Sequence, residues 1–321
     1  MSALLEVEAV SVRYGDFQAV TEASLAVEEG RTMAIVGESG SGKTSLALAV
    51  ARLLPPGGEI SAGSVRVDGI DVSGLRGADL RRARGRLVGY LAQDSMAALN
   101  PVLPAGLQVA EVFETRDGDG RGEARRKAVE LLGRVGIQRA ADVARMYPHE
   151  LSGGMRQRVM IAMALALRSR LLIADEPTTA LDVTVQAEIL ALAAALQADH
   201  GVTFLWITHD MGVVAEVADT VAVMYGGRIV EQGPAGDVFG HPAHPYTQAL
   251  LDTVRGGAEA PPKTAFATIA GAPPAGVIPP GCPFHPRCVH AFEPCPGIVP
   301  EAVDVGPAHR AACHLLGAAA R

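Results

Sequence analysis

Apolar and polar positions alternate through the start of the chain, in Leu5-Glu6-Val7-Glu8-Ala9-Val10 and from Ala23 to Val27, and again in Gly63-Ser64-Val65-Arg66-Val67-Asp68-Gly69. Strand side chains point alternately to opposite faces, so this period of two predicts half-buried strands forming a small antiparallel sheet. Between about 96 and 168 the pattern turns helical: Ala124, Ala128, Leu131, Leu132 and Val135 share one face, and Gly136 is placed to stop the helix. A helical subdomain is expected there. Unbroken apolar runs from Thr32 to Val36, Leu171 to Ala174 and Val202 to Ile207 predict buried strands, with a helical stretch from Thr184 to Gln197 between the last two. This βαβ rhythm implies a mostly parallel sheet and an α/β fold class. After about 235 both periods fade, and residues 261–300 hold 11 of the 21 prolines. The expected organisation is therefore a main domain over 1–235 and a C-terminal extension over 236–321.

Composition narrows the class. With 321 residues, 49% hydrophobic and 20% charged, the chain can bury a large core. Its 28 Lys and Arg against 35 Asp and Glu leave a formal charge of −7, which disfavours a basic-arm nucleic-acid binder or an anionic-lipid binder. No apolar run reaches the ~18 residues that cross a bilayer, and the N-terminus lacks the basic start and apolar core of a secretory signal. A cytosolic chain is expected, with any membrane connection made through a partner.

The stretch Gly37-Glu38-Ser39-Gly40-Ser41-Gly42-Lys43-Thr44 lies between the strand ending at Val36 and a helix expected from Ser45 to Arg52. Glycines in that setting let successive backbone N–H groups curl around an anion. The helix start adds positive potential, Lys43 reaches terminal phosphates and Thr44 holds Mg²⁺. The strand from Leu171 ends in Asp175-Glu176, two carboxylates with separable duties: Asp175 for the magnesium shell and Glu176 as general base toward water. A second anion site is expected at Leu151-Ser152-Gly153-Gly154, where Ser152 sits as N-cap of a helix running to Leu167. One chain seldom needs two triphosphate sites of this kind, so the second completes the site of another subunit; plain helix capping is the alternative.

Phosphate loop, LSGG and LLIADE, in that order, resemble the nucleotide-binding subunit of an ATP-binding cassette transporter over residues 1 to about 235. The resemblance implies roles residue by residue. Tyr14 is similar to the aromatic that stacks on adenine, and Gln93 to the glutamine that touches Mg²⁺ and water. His209 resembles the switch histidine at the γ-phosphate, and Asp182 the aspartate loop at the subunit interface. Gly37, Ser39, Gly40, Ser41, Gly42, Lys43, Thr44 and Ser45 form the phosphate cradle. Departures are confined to Met155 and Ser95, which stand where glutamine and proline are usual. Tyr147-Pro148-His149-Glu150, the run Pro177-Thr178-Thr179-Ala180-Leu181-Asp182 and His244-Pro245-Tyr246 are similar to the oligopeptide/dipeptide importer ATPases, the D-type subunit above all. That branch implies a paralogous ATPase in a heterodimer, two membrane permeases and an extracytoplasmic solute-binding protein, at the cytoplasmic membrane face. Similar assemblies carry nickel, haem or oligosaccharides, and a soluble non-transport cassette ATPase is the remaining alternative.

Cys282, Cys288, Cys295 and Cys313 are the only cysteines, separated by five, six and seventeen residues. A cytosolic setting argues against disulfides. Structural zinc favours closer Cys pairs, whereas irregular spacing of four thiolates suits a [4Fe–4S] cluster. The same pattern in the tails of peptide importer ATPases implies such a cluster. Zn²⁺ and free thiols are the alternatives, with His285 and His314 as substitute ligands.

Overall fold

The computed structural model describes residues 3–93, 98–179, 181–259, 269–274 and 276–318. Asp94, Ser95 and Ala180 lie outside the described residues. Contacts divide the chain into two compact units: one holds Met1–Leu5, Glu28–Arg31 and Val67–Leu205, the other Glu6–Val27, Thr32–Arg66 and Trp206–Arg321.

In the first unit, Leu171–Asp175 is buried at all five positions and pairs in parallel with Val88–Leu91, Val88 opposite Leu171 and Leu91 opposite Ala174. Burial on both faces is why this strand reads as a continuous apolar run. Helices Ala105–Asp117 and Arg121–Arg134 form a hairpin through Gly118, and pack Val109, Ala110 and Phe113 with Ala124, Ala128, Leu131 and Leu132 in the interior. The turn before them is held by buried Gln108, whose side chain accepts from Asn100 N at 2.8 Å and donates to Asn100 O at 3.0 Å and Leu103 O at 2.9 Å. Gly153–Ala166 and Val183–His200 complete the longer helices.

In the second unit, Thr32–Val36 pairs in parallel with Thr220–Tyr225, which turns through Gly226 and Gly227, both at positive φ, into antiparallel Arg228–Pro234. A two-residue turn with left-handed backbone at both positions matches strand twist, and glycine takes it without cost. Arg228–Pro234 pairs next with His309–Ala311, and that strand with Val303–Gly306. Phe17–Glu28, Ala3–Tyr14 and Gly58–Val67 lie in that order in a separate sheet.

The segment after 235 corrects the expectation that regular structure fades there. It contains helices Ala235–Gly240 and Pro245–Glu259 and two strands that extend the sheet. Tyr246, Leu250, Leu251, Phe284, Cys282 and Cys295 share a buried cluster with Val36, Val223 and Tyr225. Residue 236 thus marks a change in sequence character, while the packing continues through it, because the helix Pro245–Glu259 and the proline-rich stretch after it both supply side chains to the interior around the strand Thr32–Val36. No helix among the described residues is long and apolar enough to cross a membrane.

Candidate functional site

The expected residues fall into two sets, one in each compact unit. In the second unit the strand Thr32–Val36 delivers the chain to a loop that runs into the helix Lys43–Val50. The helix starts two residues earlier than its periodicity implies, because Gly42 takes the left-handed N-cap conformation, φ 100°. A Cβ on Gly42 would stand 2.6 Å from Ala19 O, and one on Gly37, at φ 152°, 2.2 Å from Met224 O. Only glycine satisfies both the backbone conformation and the close approach. Lys43 is 5% exposed and folds back into the loop, donating to Gly37 O at 2.7 Å, Glu38 O at 2.9 Å and Ser41 Oγ at 3.4 Å. An ammonium at the centre of a ring of backbone groups is poised to meet an anion there. Ser39, Gly40 and Thr44 are exposed, Ser41 is buried and Ser45 half-buried.

Tyr14 stands at the end of Ala3–Tyr14 with its hydroxyl 3.4 Å from Ser45 Oγ, and its ring lies so close to Gly58 that a Cβ there would be 2.6 Å from Cε1. His209 is exposed between the strand Thr203–Thr208 and the helix Met211–Val217. Asp210 fixes that junction by capping the helix, accepting from Gly212 N at 2.8 Å. Two features of this unit escape sequence reasoning. Glu38, inside the loop, is bound by Arg287 Nη1 at 2.6 Å and Nη2 at 3.1 Å, and its backbone N–H donates to Tyr246 Oη at 2.8 Å. The bond to Glu38 is the chief reason that the Arg287 guanidinium is held above its usual pKa, while burial pushes the Tyr246 hydroxyl up. The available signal was an acidic residue at an anion-binding loop, a placement that calls for a neutralising cation.

In the first unit Asp175 ends the strand Leu171–Asp175, 1% exposed, and accepts from the Tyr90 hydroxyl at 2.8 Å. Glu176 follows in the left-handed region, φ 47°, which is uncommon outside glycine and costs about 1 kcal/mol. Its carboxylate accepts from Gln93 Nε2 at 3.2 Å and Thr179 Oγ1 at 2.9 Å, so Gln93 and Glu176 do meet. The roles of Tyr90 and Thr179 were left unassigned by the sequence: Tyr90 sits in no pattern of its own, and Thr179 stands only as a member of the run from Pro177 to Asp182. Ser152 caps Gly153–Ala166 by accepting from Met155 N at 3.3 Å, and Asp182 caps Val183–His200 by accepting from Val185 N at 2.9 Å. The two helix starts touch, since a Cβ on Gly154 would be 2.6 Å from Val185 Cγ1. LSGG and the aspartate loop are therefore one surface feature.

The four cysteines lie close enough to influence one another. Burial pushes the Cys282 thiol up to about 11, with Cys313, Cys295 and Cys288 adding to the rise, and burial likewise raises Cys288 and Cys313. Cys282 N donates to Cys295 O at 2.9 Å, joining two of the loops that carry them. Among the described residues no three His, Cys, Asp or Glu side chains are arranged to hold a single metal ion. The donor set is thus four soft thiols in one neighbourhood.

A family model described as ABC transporter matches residues 20–179, and one described as oligopeptide/dipeptide transporter, C-terminal region, matches residues 230–295. The oligopeptide transport ATP-binding protein OppD of Mycobacterium tuberculosis is 48% identical over 98% of this chain and 52% of its own length, so the chain spans about half of that relative. The dipeptide transport ATP-binding protein DppD of Haemophilus influenzae is 43% identical over 97% of this chain and 95% of its own. A dimeric ATP-binding cassette of known structure, in a post-hydrolysis state bound to ADP and Pi, is 28% identical with a TM-score of 0.65, covering 72% of this chain and 98% of that one.

Proposed function

The chain belongs to the ABC transporter family, in its oligopeptide/dipeptide branch, and from that premise we propose that it is the ATP-hydrolysing subunit of an importer for oligopeptides or dipeptides. The observation that carries this is a phosphate loop with its lysine turned inward, in a chain that also ends a buried strand in Asp175 and the strained Glu176.

The loop amides from Gly37 to Thr44 cradle the phosphates, Lys43 exchanges its backbone carbonyls for phosphate oxygens, and Tyr14, beside the helix start, stacks on the adenine. Thr44 offers a hydroxyl oxygen beside the loop, and in the other unit Asp175 and Gln93 offer a carboxylate and an amide oxygen, each of the kind that magnesium takes. Magnesium, when bound, neutralises charge on the phosphates. Glu176 polarises the attacking water as general base; Gln93 and Thr179 orient its carboxylate by donating to it. His209 contacts the γ-phosphate. The bare helix start at Ser152, Gly153 and Gly154, with Asp182 beside it, completes the nucleotide site of a paralogous ATPase, so that ATP closes the pair and hydrolysis releases it. Two membrane permeases and an extracytoplasmic solute-binding protein complete the assembly, which places the chain at the cytoplasmic membrane face.

Cys282, Cys288, Cys295 and Cys313 would hold a [4Fe–4S] cluster, which would staple the proline-rich loops. Iron and sulfide in anaerobically purified protein test this assignment; a colourless protein with stoichiometric zinc overturns it.

Glu176→Gln tests the catalytic reading. The amide keeps the size and the contacts of the carboxylate but cannot take a proton, so ATP binding is retained, turnover is lost and the closed pair accumulates. Unchanged hydrolysis removes Glu176 from the base role.

A further inference from the structure

A carboxylate within a phosphate-binding loop opposes the anion that the loop attracts, and Glu38 occupies that position. The fold answers it with two residues from the C-terminal region. Arg287 meets both carboxylate oxygens in a two-pronged pairing, at 2.6 and 3.1 Å, from a side chain only 6% exposed. The same guanidinium donates to Ala270 O at 2.8 Å and Tyr225 Oη at 3.2 Å and lies 5.8 Å from the Tyr225 ring centroid, so its position is fixed from several sides. Tyr246 accepts the Glu38 backbone N–H at 2.8 Å, and its fully buried ring packs against Tyr225, at a centroid distance of 4.6 Å, and Phe284, at 5.3 Å. Side chain and main chain of one loop residue are thus both held by the tail.

Two consequences follow. The charge of Glu38 is cancelled before a nucleotide arrives, and the loop backbone is pinned at the residue where it leaves the strand. Both lower the reorganisation needed to receive phosphate.

We propose that Arg287 and Tyr246 are positioning residues of the nucleotide site, through which the C-terminal region clamps Glu38 and holds the phosphate loop in its anion-accepting shape. This rests on the reading that the loop binds ATP.

The test is equilibrium binding of MgATP to the 321-residue chain, with thermal unfolding of each variant measured without nucleotide. Arg287→Ala should weaken ATP binding about tenfold and Tyr246→Phe several-fold. Tyr246→Phe removes one oxygen and keeps the ring, so it preserves the test should Arg287→Ala fail to fold. Adding Glu38→Gln to Arg287→Ala should recover most of the lost affinity, because the uncompensated charge is gone; a role limited to stability would show no such recovery. Arg287→Lys should bind between the alanine variant and the unaltered chain. ATP affinities of Arg287→Ala and Tyr246→Phe within twofold of the unaltered chain, or a double variant no better than Arg287→Ala, overturn the clamp. An unaltered chain that binds no ATP overturns the nucleotide reading itself, and the clamp with it.

Discussion

Glu231 anchors the C-terminal strands, and replacing it should be among the most damaging changes outside the nucleotide loop. Its carboxylate is fully enclosed and accepts three hydrogen bonds: from Ala243 N at 2.8 Å, His244 N at 2.9 Å and His309 Nε2 at 2.8 Å. These donors belong to the approach to Pro245–Glu259 and to the strand His309–Ala311, so one side chain holds two parts of the tail to Arg228–Pro234. A hydrogen bond to a charged group contributes about 1.5–3 kcal/mol, and such bonds are not additive. Leaving two buried amides and an imidazole without an acceptor should cost about 4 kcal/mol, close to that of breaking a buried ion pair. Glu231→Ala should therefore lower the unfolding midpoint by about 8–16 °C for a unit of this size and speed amide exchange at Ala243 and His244 by about a thousandfold. Glu231→Gln, which keeps one acceptor oxygen but turns a donor toward donors, should lose roughly half as much. A loss below about 1 kcal/mol in Glu231→Ala, or exchange at those amides unchanged, would refute the anchoring role.

Other consequences are as direct. Burial lowers the His244 imidazole from 6.5 to about 4, and its Nδ1 accepts from Tyr246 N at 3.0 Å, so the folded ring is neutral. The unfolded ring takes up a proton as pH falls through 6.5 while the folded one resists until about 4; stability is full above 6.5 and declines by about 3 kcal/mol across that window. Urea titrations between pH 7 and 4 should show the decline, and His244→Asn, which keeps an acceptor without a titrating ring, should flatten it. Gly37→Ala drives a Cβ to 2.2 Å from Met224 O at φ 152° and should cost about 3 kcal/mol and abolish ATP binding; an alanine variant that binds normally contradicts the tight fit.

Much of the fold was legible where one period dominated. Thr32–Val36 and Leu171–Asp175 are buried throughout, and the runs Thr32 to Val36 and Leu171 to Ala174 announced them; of the five residues that the helical spacing put on one face, four lie buried in Arg121–Arg134 and Val135 follows as its C-cap. Gly77–Arg86 gave no such signal, since none of its residues is buried. The tail was less legible because prolines and short elements conceal period, and because Tyr246 and Phe284 pack on each other and on Tyr225, partners distant in sequence. In the site, the loop, Ser152 as a cap and the carboxylate pair were visible as local spacing. The clamp was not: Arg287 and Glu38 are 249 residues apart, and only the folded chain brings them together.

Under the proposed function, ATP is consumed only when the loop of one chain meets the LSGG helix start of another. Hydrolysis per chain, measured with the proposed partner ATPase across dilution to the point where sedimentation shows single chains, tests this most directly. The rate should fall to background as pairs dissociate. Full turnover by single chains would contradict it.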